Sequence, residues 1–203
     1  MKQSIVTLDM EGVLTPEIWI SVAQKTGIPE LRRTTRDEPD YDKLMRHRLA
    51  ILDARGITLS QIQSVIASLA PLPGAAQFIR DLRESLHVQV VILSDTFEQF
   101  ADPLVKQLNW PALLCHRLLV RNDKITGYQL RLPDQKRRAV EAFKSLNYKV
   151  IAAGDSFNDT TMLAAADHGI LFRAPDNIVA QFPQFPSVRE YSDLLAQIRS
   201  RLG

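Results

Sequence analysis

Three short apolar runs in the chain share one grammar: an unbroken hydrophobic stretch, an acidic or hydroxyl residue, a turn, then a helical pattern. They are SIVTLDMEG (4–12), VQVVILSDT (88–96) and KVIAAGDSFND (149–159). Runs this short that do not alternate with polar residues suit strands buried on both faces of a parallel sheet. HGILF (168–172) reads as a further strand. Helical spacing marks GAAQFIRDLRESL (74–86), DQKRRAVEAFKSLN (134–147) and YSDLLAQIRSRL (191–202). The alternation predicts an α/β fold with a doubly wound parallel-sheet core. RLLVRNDKITGYQLR (117–131) reads as a β-hairpin turning at Asn122-Asp123-Lys124.

The long gap between the first two strands carries helical patterns only. PEIWISVAQKTGI opens with Pro16 and closes at Gly27, and YDKLMRHRLAILDARG ends at Gly56. TLSQIQSVIASLA has Thr58 as its N-cap and stops before Pro71. A helical insertion after the first strand would lie over the carboxyl edge of the sheet as a small cap. PLPG (71–74) is the return linker. The expected division is a core of residues 1–14 and 73–203 with a cap of residues 15–72.

Composition narrows the class without naming an activity. With 203 residues, 45% of them apolar, the chain has enough material for one substantial core. A net charge of +2 with no basic block gives no reason to expect nucleic acid as a partner. The single cysteine, Cys115, rules out an internal disulfide and a multi-cysteine metal site. Asp9 and Glu11 interrupt the N-terminal apolar stretch before a signal segment could form, and no run of about 18 apolar residues exists. The expectation is a cytoplasmic protein without membrane contact, either a monomer or a homodimer.

In open parallel α/β sheets, ligands bind beyond the carboxyl ends of the strands. The residues placed there are Asp9 and Glu11, Ser94 and Asp95, then Asp155, Asn158 and Asp159. So many carboxylates in one small volume would repel one another and take up protons. A hard divalent cation such as Mg²⁺ relieves that, typically through one or two carboxylates plus waters and phosphate oxygens. Lys136, opening the helix after the hairpin, adds a second positive charge. Metal and lysine beside a carboxylate nucleophile suit a phosphoryl transition state. Each motif alone has an ordinary reading as a turn or helix cap; their order after successive strands is what chance capping does not require.

DMEGVLTPE, VVILSDT, Lys136 in DQKRRAV and GDSFNDTTML together resemble the haloacid dehalogenase superfamily of phosphohydrolases, with the cap placement of its phosphoserine phosphatase branch. DMEGVLTPEIWI, YDKLMRHRLAIL, VILSDTF, LLCH, AFKSLNYKVIAAGDSFNDTTML and FPQFP are similar to the bifunctional phosphoserine phosphatase/homoserine phosphotransferase proteins. The resemblance implies Asp9 as nucleophile and Glu11 as general acid, then base. It implies Mg²⁺ held by Asp9, the Glu11 carbonyl and Asp155, with Asp159 behind them. Ser94, the Asp95 backbone, Lys136 and Asn158 would bind the phosphoryl group. Glu17 would pair with the substrate ammonium and Arg48 would hold its carboxylate, Arg46 being the alternative. The substrate implied is O-phosphoserine, with homoserine as a second acceptor.

Two departures from the wider superfamily stand out: Glu rather than Asp at position 11, and Asp95-Thr96 where phosphoserine phosphatases commonly have small glycines. Both fit the bifunctional subgroup. The extra methylene of Glu11 would reach about 1.5 Å further, leaving room for an alcohol acceptor as well as water. Two other readings stay open: a phosphatase for another small phosphomonoester, and a catalytically silent binding protein on the same fold.

Overall fold

The computed structural model describes residues 2–35, 37–38 and 40–202. Among the described residues, seven strands form one sheet in the order β4-β3-β2-β1-β5-β6-β7. They are β1 (Ser4–Leu8), β2 (Gln89–Phe97), β3 (Ala112–Arg121), β4 (Lys124–Gln129), β5 (Lys149–Gly154), β6 (His168–Phe172) and β7 (Ser187–Val188). All neighbours run parallel except β3 and β4. The three strands with the shared grammar sit side by side at the centre, β1 flanked by β2 and β5.

Both faces of those strands are covered, which is why their apolar runs do not alternate. Val6, Leu8, Ile92, Ile151 and Phe172 face one apolar cluster, while Ile5, Val91, Leu93, Val150 and Leu171 face the other. Successive side chains point to opposite faces, so a strand buried twice is apolar throughout.

The helices of the 15–72 segment are α1 (Ile18–Thr26), α2 (Tyr41–Arg55) and α3 (Leu59–Ala67). Gly27 ends α1 with φ 68° and its N–H on the Ala23 carbonyl, the left-handed stop that glycine makes cheaply. Thr58 starts α3 through a capping box with Gln61. The helices after them are α4 (Ala75–Arg80, running on into a wider turn through Ser85), α5 (Glu98–Gln107), α6 (Gln135–Ser145), α7 (Thr160–Ala165), α8 (Asp176–Gln181) and α9 (Tyr191–Arg199).

The 117–131 stretch is a hairpin with a two-residue turn, Asn122 and Asp123 both having positive φ. Its first strand begins earlier, at Ala112, and joins β2 in parallel. The tip grips the helical segment: the Asp123 carbonyl accepts from Leu59 N at 2.8 Å, and its carboxylate accepts from Ser60 N at 3.0 Å and Ser60 Oγ at 2.5 Å. Lys124 pairs with Asp53 at 3.1 Å, and Tyr128 donates to Asp42. No helix among the described residues is long and apolar enough to cross a membrane.

Candidate active site

Register brings the catalytic candidates together. Leu8 lies opposite Ile92 on one side and Ala153 on the other, so the residues just beyond, Asp9, Ser94-Asp95 and Asp155, meet at one edge. Asp9, Glu11, Glu17, Arg48, Ser94, Asp95, Lys136, Asp155 and Asn158 all line a single pocket. Asp159 is fully buried behind it. Trp19, Thr34, Thr35, Tyr41, Thr96 and Ser156 complete the wall.

The β1–α1 loop turns tightly: Leu14 N and Thr15 N both reach the Met10 carbonyl, and Gly12 N reaches the Thr15 carbonyl. Gly12 has φ +81°, and a Cβ there would lie 2.5 Å from Asp155 Oδ2. Glycine is therefore required twice over, for backbone conformation and for the approach of Asp155.

Lys136 is the electrostatic hub. Its Nζ lies 2.8 Å from Asp9 Oδ1, 2.7 Å from Asp159 Oδ1 and 3.4 Å from Asp95 Oδ2. Burial alone would lower its pKa, but Asp159, Asp9 and Asp95 outweigh burial and hold it well above the ordinary lysine value. Asp9 is pushed well above the usual carboxylate range by burial and by Asp159, with Lys136 opposing and Asp155 adding to the rise. Asp159 is saturated, its second oxygen accepting from Asp155 N, Ser156 N and Ser156 Oγ. It thereby fixes both Lys136 and the loop carrying Asp155.

Asp9, Asp155 and Asp159 each offer a carboxylate oxygen, all within 4.8 Å of one another. Three buried oxygen donors suit a hard divalent cation. Asp159 is committed to Lys136 and to three donors of the loop that carries Asp155.

Glu11 has a structural task that sequence reasoning did not anticipate. Its Oε2 accepts from Ile18 N at 2.8 Å, serving one of the orphan N–H groups at the start of α1. Glu17, the residue at the capping position, makes no such bond with its own side chain. Burial and then Glu17 raise the Glu11 pKa to about 7, against the Ile18 N–H, Arg48 and Lys136. A carboxyl poised there can both give and take a proton near neutrality.

Arg48 and Arg46 are separated cleanly. Arg46 is exposed and bound to Asp42. Arg48 is 5% exposed, with its guanidinium 4.6 Å above the Trp19 ring and Nη2 donating to the Arg33 carbonyl at 2.8 Å. Its buried Nε has no hydrogen-bond partner among the described residues. Desolvation lowers its pKa to about 10, with Glu11, Tyr41 and Glu17 opposing, so it stays a cation at neutral pH.

Three further residues brace Ser94 and Asp95. Tyr41 donates to the Asp95 carbonyl at 2.9 Å, linking α2 to the end of β2. Gln135 donates to the Ser94 carbonyl at 2.5 Å and reaches Asp95 Oδ1 at 3.3 Å. His116 Nδ1 accepts from Arg131 N, which leaves Nε2 to carry the proton 3.5 Å from Asp95 Oδ1. His116 stood in the quoted LLCH and Gln135 beside Lys136, but neither position alone signalled a role.

The haloacid dehalogenase-like hydrolase family pattern matches residues 4–167. A phosphoserine phosphatase of Pseudomonas syringae pv. tomato is 60% identical over 191 residues, covering 94% of this chain and 80% of that protein. Phosphoserine phosphatase ThrH of Pseudomonas aeruginosa is also 60% identical over 191 residues, covering 94% and 92%. Among solved structures, a substrate-bound phosphoserine phosphatase complex superposes with a TM-score of 0.81 at 20% identity, over 97% of this chain and 99% of that one. At that identity the likeness is one of fold.

Proposed function

The chain belongs to the haloacid dehalogenase-like hydrolases, and on that premise we propose that it hydrolyses O-phospho-L-serine through an aspartyl-phosphate on Asp9 and can pass the phosphoryl group to homoserine. The observation that carries this reading is the set of charges on one pocket wall. Lys136 lies 2.8 Å from Asp9, and Ser94, Asn158, Glu17 and Arg48 line the same pocket, the buried Arg48 Nε having no hydrogen-bond partner among the described residues. Lys136, Ser94 and Asn158 suit a phosphoryl group. Glu17 suits an ammonium, and Arg48 a carboxylate held by a guanidinium fork.

Asp9 Oδ attacks phosphorus as the ester P–O bond breaks, and Glu11 gives its proton to the departing serine Oγ. Glu11 then takes a proton from water, or from the homoserine hydroxyl, as that oxygen attacks phosphorus and releases Asp9. Lys136 balances charge between Asp9 and the phosphoryl oxygens throughout. Asp9, the Glu11 carbonyl and Asp155 would hold Mg²⁺, with Asp159 fixing the loop behind. The cation would supply the positive charge that lets buried Asp9 ionise. Residues 15–72 act in this reading as the cap that selects the amino acid.

Product analysis tests it. With Mg²⁺, phosphoserine should yield serine and phosphate, and added homoserine should divert part of the phosphoryl group to homoserine phosphate. Asp9→Asn should abolish both. Full turnover by that variant would overturn the covalent route, and no turnover of phosphoserine by the unaltered chain would overturn the substrate.

A further inference from the structure

Asp95 carries a carboxylate into the part of the pocket where a phosphate needs positive charge. The β2–β3 register shifts between Leu93 and Phe97, and Ser94-Asp95-Thr96 bulges out of the regular ladder. Asp95 Oδ1 is backed by Gln135 Nε2 at 3.3 Å and His116 Nε2 at 3.5 Å, both from buried side chains. Asp95 Oδ2 takes the Asn158 amide at 2.8 Å and faces Lys136 Nζ at 3.4 Å. Burial would raise its pKa, but Lys136, His116 and Asn158 outweigh burial and keep it firmly ionised.

We propose that Asp95 is an internal anion that competes with phosphate for Lys136 and Asn158, and so weakens the hold of the site on free inorganic phosphate. The inference rests on the reading of this pocket as a phosphoryl site. Lys136 already faces Asp9 and Asp159, and a third carboxylate leaves less of its charge for a ligand. An arriving dianion must share both donors with Asp95 or displace it from them. His116 and Gln135 make displacement costly, because both hold the opposite oxygen from behind. The result is a site that releases its own inorganic product readily. That suits a phosphoryl group destined to move on to another acceptor.

Calorimetric titration of inorganic phosphate into the full chain with saturating Mg²⁺ tests this. Asp95→Asn and Asp95→Ser should each bind phosphate at least about tenfold more tightly than the unaltered chain, equivalent to about 1.4 kcal/mol. The gain should shrink at acidic pH, where phosphate loses its second charge; a change in shape alone would not follow ligand charge in this way. Unchanged or weaker binding in both variants would overturn the proposal and make Asp95 an orienting group for Lys136 and Asn158. Phosphoserine turnover is measured separately. A chain that fails to hydrolyse phosphoserine yet shows the Asp95 effect keeps this inference and loses only the substrate.

Discussion

Gly12→Ala separates backbone strain from damage to the site, because a second glycine supplies the control. A Cβ at position 12 would lie 2.5 Å from Asp155 Oδ2, against an ordinary contact of 3.4 Å or more, so the carboxylate must retreat by about 0.9 Å. Metal ligands tolerate about 0.2 Å. The φ of +81° adds about 1–2 kcal/mol for any residue with a Cβ. Gly27 has φ +68° but nothing within 4 Å of its Cβ position, so Gly27→Ala carries the backbone cost alone. Both variants should lose stability, roughly 2–4 °C in Tm per kcal/mol for a chain of this size. Only Gly12→Ala should also raise the Mg²⁺ concentration for half-maximal activity, by about 10–100-fold on the scale of disturbed metal surroundings. Magnesium titrations of phosphatase activity alongside thermal melts would check this. A Gly12→Ala protein with the unaltered magnesium requirement would refute the placement of Asp155 as a ligand pressed against that loop.

Arg48→Lys should raise KM for phosphoserine about tenfold or more while leaving p-nitrophenyl phosphate unaffected, since Lys keeps the charge but loses the fork; Arg46→Ala, on an exposed arginine, should change neither in the same assays. Tyr41→Phe removes the hydrogen bond to the Asp95 carbonyl and should cost about 0.5–1.5 kcal/mol in urea unfolding, together with part of the turnover. Asp123→Gly keeps the turn, given φ +63°, but removes both carboxylate acceptors from Ser60. It should lower Tm by about 2–4 °C if the pair together contribute about 1 kcal/mol, read by scanning calorimetry.

The central strands were legible because burial on both faces leaves an apolar run with a polar stop, as at Leu8-Asp9 and Gly154-Asp155. The candidate residues followed, since parallel strands end together. Helix α5 was not legible, because Pro103 stands inside it and reads as a breaker. The structure resolves the difficulty locally. The Gln99 carbonyl, which Pro103 cannot serve, accepts from Gln63 Nε2 of α3 at 2.9 Å. The Gln99 side chain in turn pairs with both the N–H and the carbonyl of Leu118. Such cross-chain repairs join residues tens of positions apart and leave no periodic trace. The start of β3 was missed for a related reason: Ala112–Leu114 pairs with Val91–Leu93, far upstream in the chain, and such a pairing leaves no local trace. For Arg48 against Arg46 the helical spacing was neutral, and packing against Trp19 decided which one enters the pocket.

The bond from Ile18 N to the Glu11 carboxylate has a consequence for engineering. A side chain on the sheet edge serves as the terminal acceptor of a helix belonging to the inserted segment, so the two parts are not interchangeable modules. Grafting residues 15–72 from a distant relative would bring a different helix start. The proton affinity of Glu11 would then shift although no strand residue had changed. The smallest transplantable piece is therefore one that carries the 11–18 junction whole, and chimaeras cut inside it should inherit the proposed cap without the carboxylate that accepts from its first helix.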